Sequence, residues 1–282
     1  MAKINTAKTD GPVSDRDIPW VLFRLKNQHF AIPSDRVKAM VEPATITFAP
    51  GLPESVRGLI QHEDRPVRVI DMRKRMGLKS LPMEIREFFD LMDARERDHK
   101  QWLSELEACI LEEKKFTLAT DYRKCKFGQW YYDFLPKVKN NALEFLLQKF
   151  AEPHKIIHGI AIRAFELQRA NKKTEAVQLI ESTRNGELKE MIHLFSQVKE
   201  TYKASCREIA IVLNIESIRQ PLAFLVDEVI SVACLPEQNW KPIDGTLAPF
   251  LGSTRMVTGI GEFPEIPLPV VTLDVLSCAE LN

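Results

Sequence analysis

Chemistry concentrates in one stretch of this chain, between His99 and His158. Three short pieces stand out: H-K-Q-W at 99–102, C-K-F-G-Q-W-Y-Y at 125–132 and P-H-K-I-I-H at 153–158. His154 and His158 are four apart in a segment that reads as helix, so both imidazoles leave one face. Pro153 suits a first helical turn, where its missing N–H is no loss. On the preceding helical pattern His99 shares a face with Trp102, Leu103, Leu106 and Ile110. A lone histidine on an apolar stripe is usually a satisfied core residue. Here three of the six histidines and one cysteine lie on segments that can converge in one bundle. Three imidazoles and a thiolate suit the tetrahedral preference of Zn2+, and the pattern reads as a zinc site.

The elements that must position these groups follow from periodicity. From Ile85 to Ile110 apolar residues recur at helical spacing with charge on the other faces. Helical patterns continue through 129–150 and 154–182; Asn185-Gly186 is expected to break them before a further amphipathic segment, L-K-E-M-I-H-L-F-S-Q-V. On either side the chain reads as β. W-V-L-F-R-L-K-N-Q-H-F-A-I-P alternates around Asn27-Gln28 as a hairpin, and G-L-I-Q with P-V-R-V-I-D-M forms a second pair joined by a polar turn. At Cys206 the β character returns in R-E-I-A-I-V-L-N-I, P-L-A-F-L-V-D-E-V-I-S-V and P-L-P-V-V-T-L-D-V. Residues 1–17 are polar and are expected to form a flexible arm.

The two β-rich ends repeat each other. Phe30-Ala31-Ile32 with Asp35 and Val37 has the form of Leu222-Ala223-Phe224 with Asp227 and Val229. Pro66-Val67 and Ile70-Asp71-Met72 have the form of Pro269-Val270 and Leu273-Asp274-Val275. A duplicated β unit with a helical insertion between its halves accounts for both. Such an insertion is tolerated because loop-closure entropy grows only logarithmically with length.

Composition bounds the rest. A chain of 282 residues, 45% hydrophobic, can bury the cores of two domains. Lys+Arg equals Asp+Glu at 39 each, so bulk charge points to neither nucleic acid nor an anionic membrane. No apolar run approaches the ~20 residues of a membrane helix, and the first residues lack a signal peptide's apolar segment. Five cysteines without framework spacing fit a reducing, cytoplasmic setting. Cys109, Cys206, Cys234 and Cys278 read as buried thiols.

The elements H-x-x-W, C-x-F-G-x-W-Y-Y and H-x-x-x-H, in this order, resemble the chemoreceptor zinc-binding (CZB) domain over roughly 85–200. The resemblance implies His99, Cys125, His154 and His158 as zinc ligands, and allows a homodimer. Gly128 is expected to let the backbone turn so that the thiolate faces the metal, with Trp102 and Trp130 as walls. The β ends resemble the CheW family through F-A-I-P-x-x-x-V-x-x-M-V, V-R-G-L-I, P-V-x-V-I-D-M-R at 66–73, L-V-D-E-V-I-S-V at 225–232 and T-G-I-G at 258–261. That resemblance implies two small β-barrels, no catalytic chemistry, and a CheA-type histidine kinase and chemoreceptor cytoplasmic tips as partners. The family's usual N-L-R-G is replaced by Gln61-His62-Glu63-Asp64, so no single partner-contact residue is carried over.

The expected architecture is multidomain α+β: an arm over 1–17, β halves over 18–82 and 205–282, and an inserted helical zinc-binding domain over 83–204, joined near 79–86 and 200–207. The expected function is a chemotaxis adaptor coupling receptors to CheA, with a zinc or zinc-thiolate redox sensor inserted. A plain scaffold with a purely structural zinc is the alternative. An enzyme is disfavoured: H-K-I-I-H has Lys155 where a hydrolase motif has its glutamate base, and four protein ligands leave no position for water.

Overall fold

The alternation from Trp20 becomes strand β1 (Trp20–Leu25), paired antiparallel with β2 (Gln28–Pro33) so that Phe23 faces Phe30. The computed structural model describes residues 18–216, 220–243, 255–264 and 266–280; the arm expected over 1–17 lies outside them. Strand β3 (Val37–Val41) follows, then the hairpin of β4 (Val56–His62) and β5 (Arg65–Asp71). Its two-residue turn, Glu63-Asp64, has φ of 47° and 57°, the left-handed pair that matches strand twist. Asp71 caps the short helix α1 (Met72–Arg75) by accepting the Lys74 N–H.

Six helices come next: α2 (Leu81–Glu112), α3 (Lys126–Phe134), α4 (Asn141–Gln148), α5 (Ala151–Arg169), α6 (Lys173–Thr183) and α7 (Lys189–Ser205). The chain then returns to β6 (Ile209–Leu213), β7 (Leu222–Val226), β8 (Glu228–Ala233), β9 (Trp240–Pro242), β10 (Val257–Gly261) and β11 (Val270–Leu273), closing on α8 (Val275–Ala279). It divides into two compact units: one formed by the chain up to Ser80 and from Arg207 on, the other by Leu81–Cys206. No helix among the described residues is long and apolar enough to cross a membrane.

In the β unit each sheet is built from both ends of the chain. One runs β8-β1-β2-β11-β10-β9, the other β3-β6-β7-β5-β4. The seams are the two parallel pairs, β2 with β11 and β5 with β7. Their registers obey the sequence repeat: Phe30 faces Val271 as Leu222 faces Arg68, and Ala31 faces Thr272 as Ala223 faces Val69. The repeat extends further than the two blocks first visible. V-R-G-L-I in β4 and V-T-G-I-G in β10 carry a bulge at the same place, and their glycines, Gly58 and Gly259, are equivalent. A Cβ on either would lie 2.3 or 2.5 Å from a backbone oxygen, of Thr47 or Lys241 respectively. The expected barrels are therefore interdependent, because neither end of the chain completes a sheet alone.

The helical unit buries its own apolar faces, including Phe127, Phe150 and Phe195. The expected break at Asn185-Gly186 does not occur. A π-helical turn, Arg184–Leu188, joins α6 to α7, and Gly186 faces open space. A π turn absorbs an extra residue without ending the helix, and burial of Thr183 and Leu188 outweighs the weak helix propensity of Asn-Gly. The helices leading out of and back to the β unit, α2 and α7, are fastened to each other near those crossings. Phe88 stacks on Tyr202 at 3.9 Å, and the Lys199 ammonium reaches Asp93 at 2.5 Å. Of the four cysteines read as buried thiols, Cys109 and Cys278 are buried. Cys206 is half-buried, and Cys234, just past the end of β8, is exposed.

Candidate metal centre

Helix α2 holds His99 on its buried stripe beside Trp102, Leu103 and Leu106. Its Nδ1 lies 2.7 Å from the Arg95 carbonyl one turn back. A carbonyl only accepts, so the ring proton sits on Nδ1 and the lone pair on Nε2. Helix α5 presents His154 and His158 from successive turns, both buried. His158 Nδ1 lies 3.0 Å from the Ala119 carbonyl, which fixes the same tautomer. The Ala119 oxygen also accepts the Trp102 indole N–H at 2.8 Å. One carbonyl, in the irregular segment between α2 and α3, thus ties a ring on each of two helices.

Cys125 ends that segment as the N-cap of α3, and its sulfur accepts the Gly128 N–H at 3.2 Å. The expectation for Gly128 changes in kind. It is an ordinary helical residue, and glycine is required because a Cβ would lie 2.0 Å from the Tyr122 carbonyl oxygen. The reason is close approach of two backbones, not a special turn. Trp102 is a wall, with its ring centroid 4.8 Å from His158; Trp130 is half-buried and stacks on Phe134 instead. The buried ring between the histidines is Phe127, edge-on to His154 at 4.9 Å and to His99 at 5.7 Å.

All four predicted residues meet. One donor atom from each of His99, Cys125, His154 and His158 lies within 4.8 Å of every other, and Cys125 Sγ is 3.2 Å from His154 Nε2. The Nε2 atoms of His99 and His158 are buried and have no hydrogen-bond partner. Two buried lone pairs without partners, aimed at the same point as a thiol, are costly unless a cation meets them. Zn–N of about 2.0–2.1 Å and Zn–S of about 2.3 Å need a cage of this size, and three imidazole nitrogens with one sulfur are donors that zinc accepts. The residues fit the ion.

Electrostatics agree. Burial, with repulsion from the other two rings, pushes His154 down to about 2; burial, then His99, pushes His158 down to about 4. Burial also lowers His99. All three are therefore neutral donors near neutral pH. Burial raises the Cys125 thiol, opposed by the Gly128 and Phe127 N–H groups, so the sulfur keeps its proton near neutral pH unless a cation displaces it. A cleft of about 380 Å3, lined by Asp98, Leu118 and Lys124 with Cys125 and two of the histidines, opens the cluster to entry.

Sequence reasoning missed the Arg95 and Ala119 carbonyls, which orient two of the rings. Backbone acceptors carry no residue signature; only the three-residue spacing of His99 and Trp102 pointed toward that neighbourhood.

Residues 19–95 match the model of the CheW-like domain and residues 99–165 that of the chemoreceptor zinc-binding domain. The chain thus carries a match to each of these two domains, and neither match alone spans half of it. Among solved structures it is similar to the scaffolding protein TtCheW from Thermoanaerobacter tengcongensis, at 13% identity and a TM-score of 0.42 over 94% of each chain. No curated protein matches the sequence.

Proposed function

We propose that this chain is a chemotaxis signalling scaffold of the CheW-like kind that couples chemoreceptors to a CheA-type kinase in the cytoplasm, and that zinc held by His99, Cys125, His154 and His158 tunes the coupling. The observation that carries the zinc assignment is the pair of buried, unpartnered Nε2 atoms facing a thiol and a third imidazole. When bound, the ion supplies positive charge at the one place where four neutral donors are starved of it. The chain's own residues do the rest. Arg95 and Ala119 hold two rings in the metal-ready tautomer, Gly128 directs its N–H at the sulfur, and Phe127 and Trp102 exclude water.

A regulatory rather than purely structural zinc is favoured by the helical unit's independent core. Twenty-two buried residues form that core, and none of them is one of the four zinc donors. The route to the β unit is covalent. His99 lies 18 residues along α2 from Leu81, about 27 Å at helical rise, and α2 is fastened to α7 by the Phe88–Tyr202 stack. A shift of His99 moves the two helices that enter and leave the β unit as a pair. Regulation requires that zinc bind one arrangement better than the other.

Metal analysis of the purified chain, beside Cys125→Ser, tests the site: one zinc per chain, lost in the variant, is expected. Capture of CheA with and without a strong chelator tests the regulation. Equal capture in both removes zinc control and leaves the structural-zinc scaffold.

A further inference from the structure

The chain leaves the β unit after Ser80 and re-enters it at Arg207. Five charged side chains gather within the unit close in sequence to those two points or packed against them. Arg57 on β4 donates to Asp71 Oδ2 at 2.8 Å and to Glu208 Oε2 at 3.3 Å. Arg73 on α1 donates through Nε and Nη2 to the two oxygens of Asp227, each at 2.6 Å. Glu208 is the second residue after the return. The fold does not require this cluster. The strand registers and the equivalent glycines carry Glu208 and Arg57 onto Ile18 and Thr258 of the other repeat, and neither charge is present there.

Hydrogen bonding ranks the three carboxylates. Asp227 accepts both Arg73 bonds and the Lys26 N–H at 2.7 Å. Asp71 accepts Arg57 and, as a helix cap, the Lys74 N–H at 3.2 Å. Glu208 takes the longer of the two Arg57 contacts, with its side chain only 15% exposed. The charged groups that face it are Arg57 on β4, Asp71 at the end of β5, Arg73 on α1 and Asp227 between β7 and β8. A desolvated carboxylate with the weakest donor, set against two others, is the member that accepts a proton. In agreement, burial raises Glu208 to about 6 against the pull of Arg57, with Asp71 and Asp227 adding to the rise.

We propose that Glu208 is a proton-operated latch on the strand by which the chain re-enters the β unit: protonated, it holds the start of β6 in the cluster, and ionised, it lets that start open. An opened Glu208 meets water and titrates at its ordinary 4.5, so the closed form binds the proton more tightly. Closing is therefore favoured as pH falls through about 6 and weakens above it. From about pH 7.5 to about pH 5 the ratio of closed to open rises about eightfold. The proton comes from water and returns to it. Because α7 runs into this strand, acid steadies the point at which the helical unit is attached, and the latch does not depend on zinc.

The test is hydrogen exchange of the full chain, read amide by amide and corrected for intrinsic rates, at about pH 7.5 and about pH 5. Protection at the start of β6 should be lower than in the buried strand β7 and should rise about eightfold at the lower pH. Glu208→Gln should remove that pH dependence. In the unaltered chain the Glu208 carboxyl carbon resonance should titrate near pH 6, and Arg57→Gln should move the midpoint higher. A midpoint at the ordinary 4.5, protection of β6 that ignores pH, or pH dependence kept in Glu208→Gln overturns the proposal. So does equal protection at the start of β6 and in β7, since Glu208 would then open only when the whole unit unfolds.

Discussion

Acid should undo the metal-free helical unit, and the size of the effect follows from the three rings. In the unfolded chain each imidazole titrates near 6.5; folded, His154 is held down to about 2 and His158 to about 4. Between these values the unfolded chain binds protons that the fold refuses. Stability must therefore fall as pH falls from about 7. Each pH unit below 6.5 removes about 1.4 kcal/mol per ring, so at pH 5 each has removed about 2 kcal/mol. His154 and His158 together remove about 4 kcal/mol, and the lowered His99 adds to it in the same direction. That is a large part of the 5–15 kcal/mol typical of a domain. Below about pH 4 His158 takes up its proton and its share stops growing.

The β unit runs the other way through one group. Burial raises Glu208 to about 6, so the folded form binds its proton first and gains stability as pH falls from about 6 towards 4.5. The readout must therefore be confined to the helical unit. Trp102 and Trp130 lie there and Trp20 and Trp240 do not, so urea unfolding of a Trp20→Phe, Trp240→Phe background reports it alone. With chelator present, unfolding free energy should drop by about 4 kcal/mol or more between pH 8 and pH 5. Zinc should move the drop to lower pH, because the ion takes the lone pairs that protons would take. A chelated protein equally stable at both pH values would refute the neutral, desolvated rings on which the site rests.

Three further outcomes are expected. Trp102→Phe keeps a ring beside His158 but removes the N–H that anchors the Ala119 carbonyl; zinc affinity, read by chelator competition, should fall about tenfold, while unchanged affinity would make that carbonyl incidental. Arg73→Ala strands Asp227 with one backbone N–H from Lys26 and should cost about 3–5 kcal/mol in urea unfolding followed at Trp20 and Trp240; adding Asp227→Leu should restore more than half, since a missing pair is tolerated better than a lone buried charge. Gly128→Ala should destabilise the helical unit by about 1–3 kcal/mol through its clash with Tyr122, whereas Gly159→Ala, helical with open space around it, should stabilise it by roughly 0.5–1 kcal/mol, both read as thermal shifts.

The metal cluster was legible because its information is local. A four-residue spacing puts two imidazoles on one face in any helix, and the apolar stripe of α2 fixes which way His99 points. What completes the cluster was not legible. Ala119 acts through its carbonyl, in a segment without periodicity, and no side chain announces it. Asn185-Gly186 misled because local propensity speaks for a break and only tertiary burial keeps the helix going. Exchange of strands between the two ends was hidden too, since apolar strands such as β5 and β7 carry no mark of which neighbour they will pair with.

The repeated aspartates show where the limit lies. Asp71 and Asp274 look alike in sequence and act alike, because capping depends on an N–H three residues away. Asp35 and Asp227 look equally alike and differ completely, because Asp227 is defined by an arginine 154 residues distant that the other repeat lacks. A duplicated fold keeps its short-range chemistry through the repeat and diverges where partners come from far along the chain.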